Sequence, residues 1–357
     1  MAPAPLETIY LHIGAEKTGT STIQRFLAGN RLQLATQGYC YPSAPGPENH
    51  IALAVYAQDS MRERGLLNQT IGEVSAQSLC AFQVNFEHAL EAELMAAREN
   101  GCRNLVLSSE HCHTRVKTVS ETRRLSALLS RVARDVKVIF YVRRQDEIAT
   151  SIYSTAVRVG YSHPLPDLRF GPDAHRYNYW NACQLYEESF GRGGLVVRQF
   201  GEKTYEGGTL LRDFCRTVEL DWDEKFAAPE RRNKSLDGTA QGLLVFVNDL
   251  RDGPFHPKTG RHRPALLARL QEVHVGTGIM PARSQAMAFA NQYDTGNERV
   301  RARYLPDVPA PLFSADFSMY PEAACEARMS SDTARVLVDA LFHDRPDIVA
   351  AFEASLS

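Results

Sequence analysis

The chain has 357 residues, 44% hydrophobic and 23% charged, which suits a globular protein with one large α/β domain or two domains. A formal net charge of −2 excludes a global basic field for nucleic acid or an acidic membrane, so any anion site must be a local cluster. No apolar run approaches the ~20 residues of a membrane helix. The start "MAPAPLETIYLHIG" has neither the basic region nor the apolar core of a signal peptide. Seven scattered cysteines (40, 80, 102, 112, 183, 215 and 325) include no C-x-x-C pair and read as reduced, so a cytoplasmic protein is expected.

"TIYLHI" (8–13) reads as a strand that runs straight into Gly14. From about Thr18 to Gln37 the residues Ile23, Phe26, Leu27, Leu32 and Leu34 predict a helix closed by Gly38. Phe82, Phe86, Leu90 and Leu94 recur every four residues and predict a second helix ending at Gly101. "NLVLSSE" (104–110) reads as a buried strand, and Leu125, Leu128, Leu129 and Val132 mark a helix capped by Ser120. "VKVIFYVRR" (136–144) is the clearest strand; "QDEIATSIYSTAVRV" after it reads as helix and "GLVVRQF" (194–200) as another short strand. Between Gly160 and Asn178 lies a Pro-, Gly-, His- and Arg-rich loop, and beyond about 226 strand signals fade into helices and polar connectors. Alternating strands and helices predict an α/β fold with a three-layer parallel sheet.

Chemistry concentrates at three places. "LHIGAEKTGTSTIQ" (11–24) has the glycine separation of a phosphate-binding loop, but Thr20 follows Gly19 and the lysine, Lys17, lies inside the loop. In such a strand–loop–helix turn, backbone N–H groups and the helix start converge on an anion, with Thr18, Thr20 and Ser21 as hydroxyl donors. In "VRRQDEIATS", Arg143 sits at a strand tip where ligands of open α/β sheets bind, and Ser151 follows eight residues on. The alternative is that Arg143 or Arg144 pairs with Asp146 or Glu147 at a solvated helix start. "SSEHCH" (108–113) offers Glu110 and His111; its neighbouring side chains would diverge in an extended segment, so no metal site is expected.

"KTGTST" after an N-terminal strand, followed by R-x7-S after a later one, resembles the sulfotransferases that use 3′-phosphoadenosine 5′-phosphosulfate (PAPS). "NRLQLATQGYCYP", "YNYWNACQLYEESFG" and "NERVRARYLP" resemble a soluble bacterial branch of that family. With the fading of strand signals past 226, the expected organisation is a P-loop NTPase-like sulfotransferase core over 1–225 and a mostly helical extension over 226–357, packed as one structural unit. The resemblance implies PAPS as donor, PAP as product and no required metal. Lys17, Thr18, Gly19, Thr20, Ser21 and Thr22 would hold the 5′-phosphosulfate, and Arg143 with Ser151 the 3′-phosphate. Lys17 would also stabilise charge on the departing phosphate. Cytosolic members use a histidine base and glycan-modifying members a glutamate; Glu110 is the choice here and His111 the runner-up, with His113 structural or solvated.

Thr22 stands where many cytosolic members carry an adenine-stacking tryptophan, and their glycine-rich C-terminal segment is not found. "RRNKSLDG" (231–238) would replace it or cap a helix. The acceptor is expected to be a carbohydrate or other small metabolite, gripped by the aromatic and basic residues of 157–180 or by none of them. No nucleic acid or membrane span is expected as partner. Two rivals are a P-loop kinase or NTPase, which lacks its Gly-Lys-Ser/Thr here, and a non-catalytic nucleotide- or glycan-binding protein.

Overall fold

The computed structural model describes residues 5–229, 235–250 and 253–356. Of the segment 231–238, residues 231–234 lie outside those described, and with them the expected role of "RRNKSLDG". The chain forms two compact units that are interleaved in sequence. The first comprises Met1–Arg143, Pro172–Pro229 and Tyr293–Phe313, and the second Arg144–Gly171, Glu230–Gln292 and Ser314–Ser357.

The first unit is built on five parallel strands: β1 (Leu6–His12), β2 (Tyr39–Cys40), β3 (Asn104–Ser108), β4 (Ala133–Val142) and β5 (Leu195–Gln199). Their order is β2-β3-β1-β4-β5, so the strand feeding the glycine loop is central, paired with β3 on one side and β4 on the other. This is the expected parallel sheet of P-loop NTPase-like type. The central strands are continuous apolar runs because both faces are covered. Side chains alternate across the sheet. Tyr10, Val106, Ile139 and Tyr141 face a core completed by α1 (Thr20–Gly29) and the helix Leu210–Thr217. On the other face Phe140 meets Tyr179 edge to face, with ring centroids 5.7 Å apart. Tyr179 opens the helix Tyr179–Phe190.

Three local expectations change. The helix expected over 18–37 is two, Thr20–Gly29 and Arg31–Thr36. At the break, Asn30 exchanges hydrogen bonds with the backbone of Ala227, donating at 3.0 Å and accepting at 2.8 Å. The helix Val119–Ser130 is capped by Thr118 rather than Ser120. Thr118 Oγ1 accepts from Glu121 N–H, and the Glu121 carboxylate accepts from Thr118 N–H, a reciprocal capping box. "HCH" is not extended; it opens the short helix His111–Arg115.

In the second unit, the helices Gln145–Arg158, Gly238–Asp249, Arg263–Val273, Ser331–Leu341 and Pro346–Ala354 contribute to one apolar cluster that includes Val157, Leu243, Leu266, Val338 and Phe352. Beyond residue 226 the described residues contain one isolated bridge, Leu236 to Val275, and otherwise helices and connectors. Among the described residues no helix is long and apolar enough to cross a membrane.

Candidate active site

The loop between β1 and α1 is a backbone turn held from beneath. Ile13 and Ala15 donate to the carbonyls of Ile139 and Tyr141 on β4 at 3.0 Å each. Gly14, Lys17 and Gly19 all have left-handed backbone, with φ of 45°, 66° and 73°. A Cβ on Gly14 would lie 2.4 Å from Thr20 Cγ2, and one on Gly19 would lie 2.2 Å from Leu210 Cδ2. Both positions therefore need bare backbone, as a cradle that admits an anion against its N–H groups does.

Lys17 is the unusual member, because a Cβ makes this conformation costly. Arg143 supports it: its Nη1 donates to the Lys17 carbonyl at 3.0 Å, and its guanidinium lies 5.3 Å from the centre of the Phe200 ring. Tyr179 Oη in turn donates to the Arg143 carbonyl at 2.5 Å. Thr18 is fully buried, and its hydroxyl donates to the Ala15 carbonyl at 2.6 Å, so that hydroxyl shapes the loop. Thr20 is buried at the start of α1, Ser21 is exposed and Thr22 partly exposed. A partly buried ion pair at 2.8 Å between Glu16 and Arg176 fixes a further side chain of the loop.

Glu110 follows β3, the strand beside β1, and stands just before the short helix that starts at His111, with no capping bond from its side chain. Two amides hold one of its oxygens: Gln24 Nε2 donates to Oε2 at 2.8 Å and Asn49 Nδ2 donates to it at 2.9 Å. Asn49 is itself oriented by Ser109, whose hydroxyl donates to Asn49 Oδ1 at 2.9 Å. Gln24 lies on α1, the helix that begins at the glycine loop, so the carboxylate is tied to the same element that would receive the anion. Sequence reasoning missed Gln24 and Asn49. Gln24 left a trace, as an amide among Ile23, Phe26 and Leu27 on the buried side of α1; Asn49, in an irregular turn, left none.

His111 is half-buried, and its Nδ1 has no hydrogen-bond partner. His113 is fully buried against Phe140 and His175, and burial holds its pKa well below the ordinary histidine range; it is structural rather than solvated. His12, at the tip of β1, lies in the glycine-loop stretch 11–24 without being a site candidate there. Its Nδ1 lies 2.8 Å from the Ser108 hydroxyl, which ties the tips of β1 and β3, and burial lowers its pKa to about 3.

The tip of β4 separates the two arginines. Arg144 makes the helix-start ion pair with Asp146. Its Nε and Nη2 donate to Asp146 at 2.8 and 3.0 Å, and its Nη1 donates to the carbonyls of Ser314 and Asp316. Tyr320 Oη also donates to Asp146, at 2.6 Å. Ser151, partly exposed on the helix Gln145–Arg158, belongs to the second unit and Arg143 to the first.

No protein-family model and no curated protein matches the sequence. Among solved structures, the chain is similar to a sulfotransferase from Alicyclobacillus acidocaldarius, at 15% identity over 84% of this chain and 97% of that one, with a TM-score of 0.42. It is similar to the sulfotransferase domain of the curacin biosynthetic pathway, at 13% identity over 65% and 80% of the two chains, with a TM-score of 0.34. It is also similar to a structure of the PezAT chromosomal toxin–antitoxin system of Streptococcus pneumoniae, at 14% identity over 74% and 88%, with a TM-score of 0.29.

Proposed function

We propose that the chain is a sulfotransferase that moves a sulfuryl group from PAPS to a hydroxyl or amine acceptor. One observation carries the proposal. A left-handed glycine loop with its lysine inside stands at the central strand, flanked by the Glu110 carboxylate after β3 and the Arg143 guanidinium after β4. Ligands of open α/β sheets lie in the crevice at such strand tips.

In this proposal the 5′-phosphosulfate of PAPS rests on the N–H groups of Lys17 to Ser21, with the Lys17 ammonium near its bridging oxygen. The acceptor oxygen or nitrogen attacks sulfur. As that bond forms, the bond from sulfur to the bridging oxygen breaks, and PAP leaves with the electron pair. Lys17 and the loop stabilise the negative charge that develops on the leaving phosphate. The acceptor proton passes to Glu110, whose Oε2 is held by Gln24 and Asn49 so that the carboxylate presents a fixed edge. His111 is the second choice of base. Arg143 would contact the 3′-phosphate.

Release of PAP from PAPS, measured over a panel of hydroxyl and amine acceptors, tests the proposal. Acceptor-dependent release is expected, lost in Lys17→Ala and slowed about 100-fold or more in Glu110→Gln with PAP affinity kept. Release that is insensitive to both substitutions, or turnover of magnesium–ATP in place of PAPS, contradicts it.

A further inference from the structure

The second unit contains a cavity of about 400 Å³, lined by none of Lys17, Glu110 and Arg143. Its size falls in the lower part of the ~300–1,000 Å³ range of small-molecule sites. One wall is the irregular segment from Tyr161 to Arg169, and the other is the helix Arg283–Asn291 with its flanking residues.

The irregular wall is preformed. Asn248 donates to the Tyr161 carbonyl at 2.9 Å, and Ala327 N–H donates to the Pro164 carbonyl at 3.0 Å. His163 Nδ1 accepts from Leu165 N–H at 3.4 Å. Tyr161 packs edge to face on Tyr153, and its ring lies 6.0 Å from that of His163 at 31°, so the two form one aromatic surface. The helical wall presents Gln285, Ala288, Phe289 and Gln292, spaced i, i+3, i+4 and i+7 on one face. Gln285 Oε1 accepts from Ala282 N–H, and Gln292 Nε2 donates to the Ala288 carbonyl. The groups they have left are a donor from Gln285 and an acceptor from Gln292, on either side of Ala288.

The lining also fixes the charge a ligand can have. Its one guanidinium, Arg169, is bound bidentate to Asp167 at 2.8 and 3.0 Å. That pairing leaves neither the guanidinium uncompensated for a phosphate or carboxylate nor the Asp167 carboxylate uncompensated for an amine. An aromatic surface beside a separated amide donor and acceptor suits an uncharged ring with an apolar face and a hydroxylated edge. We infer that this cavity is a binding site for a neutral pyranoside, one or two sugar rings in size. The inference stands whether or not the first unit transfers sulfuryl groups.

Saturation-transfer difference NMR on the full chain, without nucleotide, tests it. The probes are methyl β-glucopyranoside, methyl β-galactopyranoside and cellobiose, with glucuronate as the charged control and phenol as an aromatic control without a saccharide's hydroxylated edge. At least one neutral saccharide is expected to bind and both controls to fail. Tyr161→Ala should weaken binding about tenfold. Gln285 is exposed on its helix, so Gln285→Ala should fold normally and weaken binding about three- to tenfold. The inference is overturned if no neutral saccharide binds, if glucuronate or phenol binds better, or if Gln285→Ala leaves affinity unchanged.

Discussion

Gly19→Ala puts the geometry of the loop under direct test. At φ 73° an alanine pays the left-handed penalty of ~1–2 kcal/mol. Its Cβ would also stand 2.2 Å from Leu210 Cδ2 and 3.4 Å from Phe200 Cε2. The Leu210 methyl ends a rotatable side chain, so relief of that clash costs only about 1 kcal/mol, the low end for overpacking. The sum is about 2–3 kcal/mol, or about 5–10 °C in Tm for a unit of this size. Both tryptophans, Trp180 and Trp222, lie in the first unit, so urea unfolding followed by tryptophan fluorescence reports that unit alone. The two contributions separate in a double-mutant cycle. Against a Leu210→Ala background the alanine at 19 should cost about 1 kcal/mol less, while the backbone penalty persists. A cost below about 1 kcal/mol in the single variant, or no coupling to Leu210, would refute the left-handed, close-packed loop.

Three further outcomes are expected. Tyr141→Phe removes the 2.5 Å hydrogen bond that its hydroxyl donates to buried Asp213, at an expected cost of about 1.5–3 kcal/mol by the same fluorescence assay. Arg144→Ala strands Asp146 without its buried cation and should destabilise the second unit by about 3–5 kcal/mol, read by hydrogen exchange on the helix Gln145–Arg158. His50 is buried with Nδ1 accepting from Ser108 N–H and Nε2 donating to the Pro42 carbonyl, and burial lowers its pKa to about 3. The unfolded chain therefore binds more protons between pH ~6.5 and about 3, and stability falls as pH drops through that window. His50→Gln keeps one donor and one acceptor but does not titrate. It should flatten the slope of stability against pH below 6.5 by up to ~1.4 kcal/mol per pH unit, and an unchanged slope would contradict neutral burial.

The sheet was legible because its central strands are uninterrupted apolar runs, and 104–110, 136–144 and 194–200 needed no partner to be seen. β2 was not, since two residues paired to β3 through Tyr39 and Cys40 carry no periodicity. Local chemistry suffices at Thr118, where T-x-x-E spells a capping box; Ser120 is merely the nearer hydroxyl to the apolar repeat. Asn30 was out of reach, because what breaks the helix there is a backbone 197 residues away. The candidate site divides the same way. Lys17, Gly19, Glu110 and Arg143 stand at strand tips that the sequence marks, whereas Gln24 and Asn49 converge on Glu110 only after β1 and β3 have paired. The interleaving of the two units depends on packing among segments as distant as Arg144–Gly171 and Ser314–Ser357, which no local pattern encodes.

Calorimetric titration with PAP, with AMP and magnesium–ATP alongside, addresses sulfuryl-donor binding most directly. PAP should bind without metal and far more tightly than AMP, which lacks the 3′-phosphate. Arg143→Ala separates two roles: loss of its bond to Lys17 weakens AMP and PAP alike, while loss of a 3′-phosphate contact weakens PAP alone and narrows the gap. Equal affinity for PAP and AMP, or preference for magnesium–ATP, would contradict the account.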